Sequence, residues 1–346
     1  MRICQMRKRF DALREITIMT NKTVFVVGGA GFIGSHTAKL LAKQGYEPIV
    51  YDNLSTGHRA SVRWGTLVEG DILDTPRLIK AVERHDPIAV IHFAASAYVG
   101  ESVGNPAKYY RNNVSGTQSL LEACRLTGGR NIIFSSSCAT YGIPERLPIR
   151  EGEVQRPINP YGRTKLIAEH MLADYAAAYG SRYVALRYFN ASGADLDGEL
   201  GEAHDPETHL IPRALMAAAG NIDFLEVYGE DYDTTDGTCI RDYIHVTDLA
   251  RAHVLAVEHL VNDGDNLAVN LGSGHGTSIK EILDAISRLT GREVPVAMRA
   301  RRAGDPPALY ADPALAAEKL GFQTVYSDLD TIIRTAAPHF GLEVRA

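Results

Sequence analysis

A glycine-rich turn between a strand and a helix constrains the fold of this chain more than any other feature. The sequence GGAGFIG at residues 28–34 follows an apolar run and opens a helical pattern. Gly28 permits a tight turn, Gly31 lets the backbone approach a pyrophosphate, and Gly34 lets the helix pack closely on the strand. The helix N-terminus, with its free N–H groups and dipole, favours phosphate there. The pattern therefore predicts a dinucleotide site.

An acid after the second predicted strand supports this interpretation. Asp52 follows the run 47–51 and lies about 20 residues after the glycines, where a carboxylate accepts hydrogen bonds from an adenosine ribose. Because a carboxylate repels a 2′-phosphate, Asp52 favours NAD over NADP. The alternative is a structural turn, since the chain contains 31 glycines and a glycine triplet alone is weak evidence.

Strand and helix patterns alternate along the first half of the chain. The predicted strands are 23–27, 48–51, 66–69, 88–92, 131–135 and 183–189, and the predicted helices are 32–44, 76–84, 107–127 and 160–179. This alternation predicts an α/β fold with a doubly wound parallel sheet of the Rossmann type. Ligands of such sheets bind beyond the carboxyl ends of the strands.

The same patterns suggest a division of the chain. Residues 1–20 lie outside the alternation, and we expect a poorly ordered N-terminal extension there. We expect an NAD-binding Rossmann domain at 21–190 and a smaller α/β substrate domain at 191–346. Segments within about 242–272 are expected to return to the first domain.

Composition excludes several classes of protein. A net charge of −6 and the lack of a basic run with aromatics argue against a nucleic-acid partner. No apolar stretch reaches the ~18 residues that a membrane helix needs. The 4 cysteines are scattered without a CxxC pair, as in a reduced protein. We therefore expect a cytoplasmic protein.

A tyrosine and a lysine at helical spacing form the predicted catalytic pair. Tyr161 and Lys165 are four residues apart, so they share one helix face. Tyrosine, with a pKa of about 10, is a poor base at neutral pH. A lysine ammonium within ~4 Å contributes roughly 4 kcal/mol at an effective dielectric of 20, and a nicotinamide cation adds to this. We expect these charges to lower the pKa of Tyr161 toward neutrality, so that it accepts a proton from a sugar hydroxyl.

A serine run ends the apolar strand 131–135. A hydroxyl at this carboxyl end can bridge a substrate hydroxyl and Tyr161. We assign this role to Ser137, with Ser136 as the alternative.

With these motifs in place, the chain from about 23 to 335 resembles the extended short-chain dehydrogenase/reductases and, within them, the UDP-glucose 4-epimerase family. The stretches that carry the resemblance are GGAGFIGSH (28–36), YDNLSTGH (51–58), EGDI (69–72), HFAA (92–95), YYRNNVSGT (109–117), FSSS (134–137), NPYGRTK (159–165), LRYFNASGA (186–194), DGTCIRDYIHV (236–246) and NLGSG (270–274). The glycine motif and YxxxK are general to the superfamily. LRYFN together with DGTCIRDYIHV is specific to the epimerases.

The resemblance implies which residues bind NAD. The residues that would contact the cofactor are Gly28, Gly31, Phe32, Ile33, Gly34, Asp52, Asn53, Asp71, Ile72, Phe93, Ala94, Ala95, Asn113, Tyr161, Lys165 and Tyr188.

It also implies a UDP-sugar substrate. The residues that would contact this substrate are Ser137, Tyr161, Asn190, His209, Leu210, Tyr228, Arg241, Arg302 and Asp305. Arg241 and Arg302 suit the diphosphate because guanidinium binds phosphate oxygens bidentately. A structural salt bridge is the alternative for each arginine.

The implied reaction is reversible epimerisation at C4 of the UDP-hexose. Tyr161 would accept the 4-hydroxyl proton directly or through Ser137, and bound NAD would be recycled within each turnover through a transient 4-keto sugar. The resemblance also implies a homodimer formed through the helices 107–127 and 160–179.

Several positions depart from the family pattern. Ala97 stands where many relatives have a lysine near the cofactor phosphates, which predicts weaker retention of NAD. His209 replaces an asparagine, and Cys138 follows the serines. Leu309 aligns with a tyrosine of glucose-restricted enzymes, so we expect N-acetylated sugars to be accepted as well.

Other reactions of the superfamily remain as alternatives. A UDP-pentose or UDP-N-acetylglucosamine 4-epimerase would use the same chemistry. A nucleotide-sugar dehydratase would place an acid after the serines, where this chain has residues 138–140 as Cys-Ala-Thr. A redox-sensing regulator would typically lose Tyr161 or Lys165. A steroid or alcohol dehydrogenase would not need the arginines near 299–302.

Overall fold

The computed structural model of the protein describes residues 21–129, 131–302 and 305–345. The predicted N-terminal extension, residues 1–20, lies outside this described part of the chain.

The first half alternates strands with helices, as the sequence predicts, with ends shifted by one or two residues. Its strands are β1 (Thr23–Val27), β2 (Glu47–Asp52), β3 (Thr66–Glu69), β4 (Ala89–His92), β5 (Asn131–Ser135) and β6 (Arg182–Arg187). Its α-helices are α1 (Phe32–Lys43), α2 (Thr75–His85), α3 (Val99–Gly104), α4 (Pro106–Tyr109), α5 (Gly116–Thr127) and α6 (Pro160–Tyr179). Short 3₁₀ turns occupy Arg59–Ser61 and Cys138–Thr140.

The second half contains shorter elements. Its strands are β7 (Asn190–Ser192), β8 (Leu225–Tyr228), β9 (Ile240–Arg241), β10 (Tyr243–His245), β11 (Leu267–Asn270), β12 (Thr277–Ser278), β13 (Val296–Arg299) and β14 (Ala308–Leu309). Its helices are α7 (Leu210–Ala218), α8 (Val246–Val261), α9 (Ile279–Thr290), α10 (Ala314–Leu320) and α11 (Leu329–Ala336), followed by a 3₁₀ turn at Ala337–Phe340.

A seven-stranded sheet forms the centre of the molecule. Its strand order is β11-β6-β5-β4-β1-β2-β3, and every pair in it is parallel. The order reverses between β1 and β4, which creates a crevice at their carboxyl ends. The doubly wound α/β fold predicted from the sequence is therefore present, with its ligand crevice beside the glycine turn.

Apolar layers cover both faces of this sheet. On one face, α1 packs against α8, and their side chains meet those of the inner strands in one large core. On the other face, α2 and α5 pack together over β1 and β2. Because both faces are buried, residues 24–27 of β1 are at most 1% exposed, as their apolar run predicts.

A second core lies in the C-terminal half. Helices α7, α9 and α11 pack together with β8 around it, and β8 pairs with β13. Two further segments pack on the central sheet instead. Strand β11 pairs with β6, and residues 316–322 pack against the core beside α8.

One predicted helix contains a π-helical segment. The stretch predicted as a helix over 107–127 is helical throughout, and its segment Tyr110–Ser115, between α4 and α5, is a π-helix. Such segments occur frequently at functional sites.

No helix in the described part of the chain is both long enough and apolar enough to cross a bilayer.

Candidate active site

Steric contacts explain two glycines of the turn after β1. Gly28 has φ of +81°, a left-handed conformation that favours glycine, and a Cβ there would lie 2.5 Å from the backbone nitrogen of Ala94. A Cβ on Gly34 would lie 2.3 Å from the carbonyl oxygen of Gly28. These two glycines bring β1, α1 and the loop after β4 into close contact.

The third glycine leaves open space at the start of α1. A Cβ on Gly31 would contact only the carbonyl oxygen of Gly28, at 3.5 Å. The first intrahelical bond runs from the Ser35 nitrogen to the Gly31 oxygen at 2.9 Å, so the N–H groups of Phe32 and Ile33 have no partner within the helix. An open surface with free N–H groups suits a pyrophosphate.

The carboxylate of Asp52 is held firmly at the end of β2. Its Oδ2 accepts a hydrogen bond from the Ala30 nitrogen at 2.9 Å, and its Oδ1 accepts one from the Leu54 nitrogen at 2.8 Å. Next to it, Asn53 donates from Nδ2 to Oδ2 of Asp71 at 2.9 Å. The residues predicted to bind adenosine therefore lie together beside the glycine turn.

The loop after β4 forms the other wall of the crevice. The backbone nitrogens of Phe93 and Ala94 both donate to the carbonyl oxygen of Val27, at 2.8 and 3.1 Å. Ala95 follows them, and Ile72 lies buried after β3. The apolar residues predicted to line the cofactor thus follow the ends of neighbouring strands.

Asn113 connects this loop to helix α6. Its Oδ1 accepts a hydrogen bond from the Ser96 nitrogen at 2.8 Å, and its Nδ2 donates to Oγ1 of Thr164 at 3.0 Å. Since its amide atoms bind protein partners, Asn113 holds the loop against the helix that carries Tyr161. The π-helical segment places its side chain there.

Helix α6 presents the predicted catalytic pair. The side chain of Asn159 caps its N-terminus by accepting a hydrogen bond from the Gly162 nitrogen at 2.8 Å, and Pro160 occupies the first turn. Lys165 Nζ donates to the carbonyl oxygen of Ser135 at 2.7 Å and lies 5.8 Å from the ring centroid of Tyr161. The tyrosine and lysine share one face, as their spacing predicts.

Burial is the largest influence on the pKa of both groups in the protein without NAD. Burial raises the pKa of Tyr161, whereas its interaction with the Ser137 hydroxyl lowers it. Burial lowers the pKa of Lys165 to about 7, and the charge of Glu169 raises it. The lowering of the Tyr161 pKa by Lys165 together with a nicotinamide cation stays a prediction for the NAD-bound protein.

The three serines at the carboxyl end of β5 have different partners. Ser135 Oγ shares a hydrogen bond with the Tyr188 hydroxyl at 2.5 Å. Ser136 Oγ donates to Oε1 of Glu169 at 2.5 Å. Ser137 Oγ accepts a hydrogen bond from the Ala139 nitrogen at 3.1 Å, and its hydroxyl lowers the pKa of Tyr161, which favours Ser137 over Ser136 as the bridging hydroxyl.

A buried polar network beneath the pair was missed by the sequence reasoning. Glu169 forms a two-point ion pair with Arg187, from Nε to Oε1 at 2.9 Å and from Nη2 to Oε2 at 2.6 Å. Arg187 Nη1 also donates to the Tyr141 hydroxyl at 2.7 Å, and that hydroxyl donates to Oδ1 of Asn270 at 2.8 Å. The available signal was the position of Glu169 four residues after Lys165, on the same helix face.

Part of the predicted substrate set lies at the entrance to α7 and on β7. Asn190 donates from Nδ2 to the carbonyl oxygen of Asp242 at 2.9 Å. His209 is the residue immediately before α7, and Leu210 begins that helix. Burial lowers the pKa of His209, but the hydrogen bonds that its ring donates to the carboxylates of Glu202 and Glu207 outweigh burial and raise the pKa to about 10.

The remaining substrate residues form two linked pairs. The Cζ of Arg302 lies 3.9 Å from the ring centroid of Tyr228, and Arg241 Nη2 forms an ion pair with Oδ1 of Asp305. The Asp305 nitrogen also donates to the carbonyl oxygen of Arg302 at 3.2 Å, which joins the pairs. The structure thus groups these four residues. The ion pair of Arg241 with Asp305 is of the kind expected under the alternative interpretation of this arginine, a structural salt bridge.

The departures from the family pattern also have defined positions. Ala97 is exposed. Cys138 is buried, and burial raises the pKa of its thiol. Leu309 lies opposite Arg241 in the parallel pairing of β14 with β9 and packs in a small apolar cluster that includes Cys138 and Tyr141.

The arrangement combines a dinucleotide crevice with proton-transfer groups. A tyrosine hydroxyl, a serine hydroxyl and a lysine ammonium converge at the carboxyl end of β5, beside the strand switch point. Such a set can move a proton to or from a substrate hydroxyl next to a bound nicotinamide.

Comparison with known proteins gives consistent matches along the chain. The sequence profile of the NAD dependent epimerase/dehydratase family matches residues 24–272. A UDP-glucose 4-epimerase from Rhizobium leguminosarum bv. trifolii is 54% identical over 319 residues, which cover 92% of this chain and 97% of that protein.

Solved structures match at similar coverage. The UDP-glucose 4-epimerase from Brucella ovis, crystallised with NAD, is 82% identical with a TM-score of 0.93, over 94% of this chain and all (100%) of the other. The UDP-glucose 4-epimerase from Stenotrophomonas maltophila, with bound NAD and formylated UDP-arabinopyranose, is 38% identical with a TM-score of 0.90, over 93% of this chain and 98% of the other.

Proposed function

The chain belongs to the NAD dependent epimerase/dehydratase family, and from this premise we propose that it is a UDP-glucose 4-epimerase that interconverts UDP-glucose and UDP-galactose. The names of relatives matched over nearly their whole length support this reaction. One structural observation gives this proposal its strongest support. Tyr161, Ser137 and Lys165 lie together at the carboxyl end of β5, next to the crevice of a dinucleotide-binding sheet.

The crevice fits NAD. The open side of Gly31 and the free N–H groups at the start of α1 suit the pyrophosphate, and Asp52 suits the adenosine ribose. When bound there, NAD supplies a reversible hydride acceptor for the sugar C4. The residues proposed to hold it are Gly28, Gly31, Phe32, Ile33, Gly34, Asp52, Asn53, Asp71, Ile72, Phe93, Ala94, Ala95, Asn113, Tyr161, Lys165 and Tyr188.

Proton transfer is assigned to the tyrosine. Tyr161 accepts the proton of the sugar 4-hydroxyl, directly or through Ser137, and returns it to the same oxygen, O4, when the opposite face of C4 is reduced. Because burial raises the pKa of Tyr161, nearby positive charge has to stabilise the phenolate. Lys165, on the same helix face, is the protein group placed to supply it.

Substrate holding is assigned to the C-terminal half. Arg241 and Arg302 bind the diphosphate, supported by the linked pairs that they form with Asp305 and Tyr228. His209 and Leu210 at the entrance to α7 and Asn190 on β7 complete the set. Anchoring UDP while the 4-keto sugar turns about the diphosphate presents both faces of C4 to the same cofactor.

This assignment implies two functional regions. We place the NAD-binding region at 21–190 and the nucleotide-sugar region at 191–346, with segments within about 242–272 contributing to the first. The pairing of β11 with the central sheet supports this division. Residues 316–322 also pack against the core of the first region, so a further segment contributes to it.

We also propose a homodimer formed through α5 and α6. Large apolar side chains exposed on these helices and on the neighbouring α3 and π-helical segments support it. They are Val99, Val103, Tyr110, Leu126 and Tyr179. Sedimentation equilibrium of the purified protein should give twice the chain mass, and a monomer at micromolar concentration would contradict this assembly.

The reaction is tested with protein purified without added NAD. Incubation with UDP-galactose should yield UDP-glucose, with no net NADH. Accumulation of NADH in proportion to product would indicate a dehydrogenase instead.

The sugar range is tested in parallel. The side chain of Leu309 is smaller than that of a tyrosine and leaves more room near the sugar, so UDP-N-acetylglucosamine should also be converted. No turnover of this sugar under conditions that convert UDP-galactose would refute the acceptance of N-acetylated sugars. Faster turnover of a UDP-pentose than of UDP-galactose would favour the pentose alternative.

A further inference from the structure

Two histidines and two glutamates converge in the loop before α7. Glu202, His204, Glu207 and His209 each direct one ligand atom toward a common centre, and these atoms lie within 4.8 Å of one another. We propose that this Glu-His cluster binds a divalent transition-metal ion, with Zn²⁺ as the ion that its donor atoms suit best.

The donor atoms lie close to the separations of a coordination shell, most of them somewhat nearer to one another. Nδ1 of His209 lies 2.8 Å from Oε1 of Glu202 and 2.9 Å from Oε1 of Glu207. Nδ1 of His204 lies 2.9 Å from Oε1 of Glu202 and 3.6 Å from Oε2 of Glu207. A tetrahedral Zn²⁺ with ligand distances of about 2.0–2.2 Å separates its ligand atoms by about 3.3–3.6 Å, so small shifts of these side chains would complete the shell.

One imidazole nitrogen of this cluster is shared between two carboxylates. Nδ1 of His209 carries at most one hydrogen, yet it faces carboxylate oxygens of both Glu202 and Glu207 at nearly equal distances. One proton makes one short, straight bond. A cation at the centre attracts both carboxylates and both nitrogen lone pairs together.

Burial adds a charge argument. The side chains of Glu202 and Glu207 are 4% and 7% exposed. Neither carboxylate has a lysine or arginine nitrogen within 4.0 Å in the described part of the chain, and the two histidines are their cationic partners. Two adjacent buried carboxylates need positive charge, and a divalent ion supplies it by taking the place of the protons that the two imidazoles otherwise carry.

A second acidic cluster provides an internal contrast. Asp195, Asp197 and Glu199 also converge, but Lys39 occupies their centre, with Nζ at 2.6, 2.9 and 2.7 Å from their oxygens. That cluster already contains its cation. The Glu-His cluster offers imidazole nitrogens instead, which are transition-metal ligands.

The donor set and its spacing indicate the kind of ion and its role. Two imidazoles with two carboxylates suit Zn²⁺ better than Mg²⁺ or Ca²⁺, which prefer oxygen ligands alone. All four ligands come from the eight-residue segment 202–209, so the ion would close one loop. A cleft of about 310 Å³ lined by Glu202, His204 and Glu207 gives it access from solvent.

Closing this loop would affect the proposed active site. The ring of His204 lies 6.3 Å from that of Phe32 at the glycine turn and 6.0 Å from that of Tyr98. The loop continues directly into His209 and Leu210 of the proposed substrate set. A bound ion would therefore fix the entrance to α7 against the cofactor loop.

The test uses the full-length protein without an affinity tag. After treatment with EDTA and desalting, the protein is titrated with ZnCl₂ against a chromophoric chelator, and bound zinc is counted by mass spectrometry. Wild type should take up one ion per chain at micromolar or tighter affinity, with a rise in melting temperature. His204→Ala and Glu207→Gln should each weaken uptake by at least about tenfold.

The control is Asp197→Asn, which alters the lysine-filled cluster and should leave zinc uptake unchanged. Absence of stoichiometric uptake by wild type, or equal uptake by His204→Ala, would overturn the proposal. If a variant fails to fold, X-ray absorption of zinc-loaded wild type decides the matter. A first shell with two imidazoles supports the site, and a shell without them refutes it.

Discussion

The phenol of Tyr161 is the group on which the proposed chemistry depends. Tyr161→Phe removes the proton acceptor but keeps the ring, so kcat should fall by about 10²- to 10⁴-fold while UDP affinity changes little. Steady-state kinetics and calorimetric titration with UDP measure the two effects. Tyr179→Phe is the control, because Tyr179 is 57% exposed at the other end of the same helix. Unchanged turnover in Tyr161→Phe would exclude this residue as the base.

Lys165 makes stability depend on pH. Burial lowers its pKa from 10.5 to about 7, so between these values the unfolded chain binds more protons than the folded protein. Stability therefore rises with pH in this window. In cofactor-free protein, the unfolding free energy of wild type relative to Lys165→Met should increase by about 2 kcal/mol at most between pH 7 and 9.

Denaturant unfolding at several pH values measures this difference. Glu169, Tyr161 and Ser135 are the groups around Lys165 that the substitution leaves in place. A wild-type stability that falls relative to Lys165→Met as pH rises would contradict the lowered pKa.

At the scale of elements, the glycines of the first turn have separable tasks. Gly34→Ala should destabilise the protein by about 1–3 kcal/mol or more, since its Cβ would meet a backbone oxygen at 2.3 Å. Gly31→Ala should preserve the melting temperature of cofactor-free protein but weaken NAD binding, because its Cβ fills the open side of the turn. Melting curves and NAD titration separate the effects. Equal loss of stability in both variants would contradict this division.

Helix α6 rests on the buried ion pair between Glu169 and Arg187. Glu169→Gln leaves the arginine charge without its partner and should cost about 3 kcal/mol of unfolding free energy. Chemical denaturation measures it. Glu122→Gln, which breaks a solvent-exposed pair with Arg125, serves as the control and should change stability little. An unchanged free energy of unfolding in Glu169→Gln would show that the network does not stabilise the protein.

Elements differ in how far the sequence predicts them. The β1–α1 turn and the Tyr161–Lys165 face were predictable because strand, glycine and helix signals are local. The π-helical segment and the ion pair of Glu169 were not, since both depend on partners distant in sequence. Asn113 bonds to Ser96 and Thr164, and Glu169 bonds to Arg187.

At the scale of the whole molecule, the alternation of strands and helices in the sequence predicts the central sheet but not every strand in it. The expected return of segments within about 242–272 includes β11, but its place beside β6 follows from long-range packing. The packing of residues 316–322 on the same core has no local signal. Likewise, motif resemblance identified Arg241, Arg302 and Asp305, whereas only the fold shows that they form linked pairs.

The central claim is that one bound cofactor takes hydrogen from C4 and returns it within a single turnover. UDP-galactose deuterated at C4, converted by protein without added NAD, tests it directly by NMR and mass spectrometry of the product. The account predicts UDP-glucose that keeps its deuterium at C4, with no net NADH. Loss of the deuterium to water, or NADH formed in proportion to product, would contradict it.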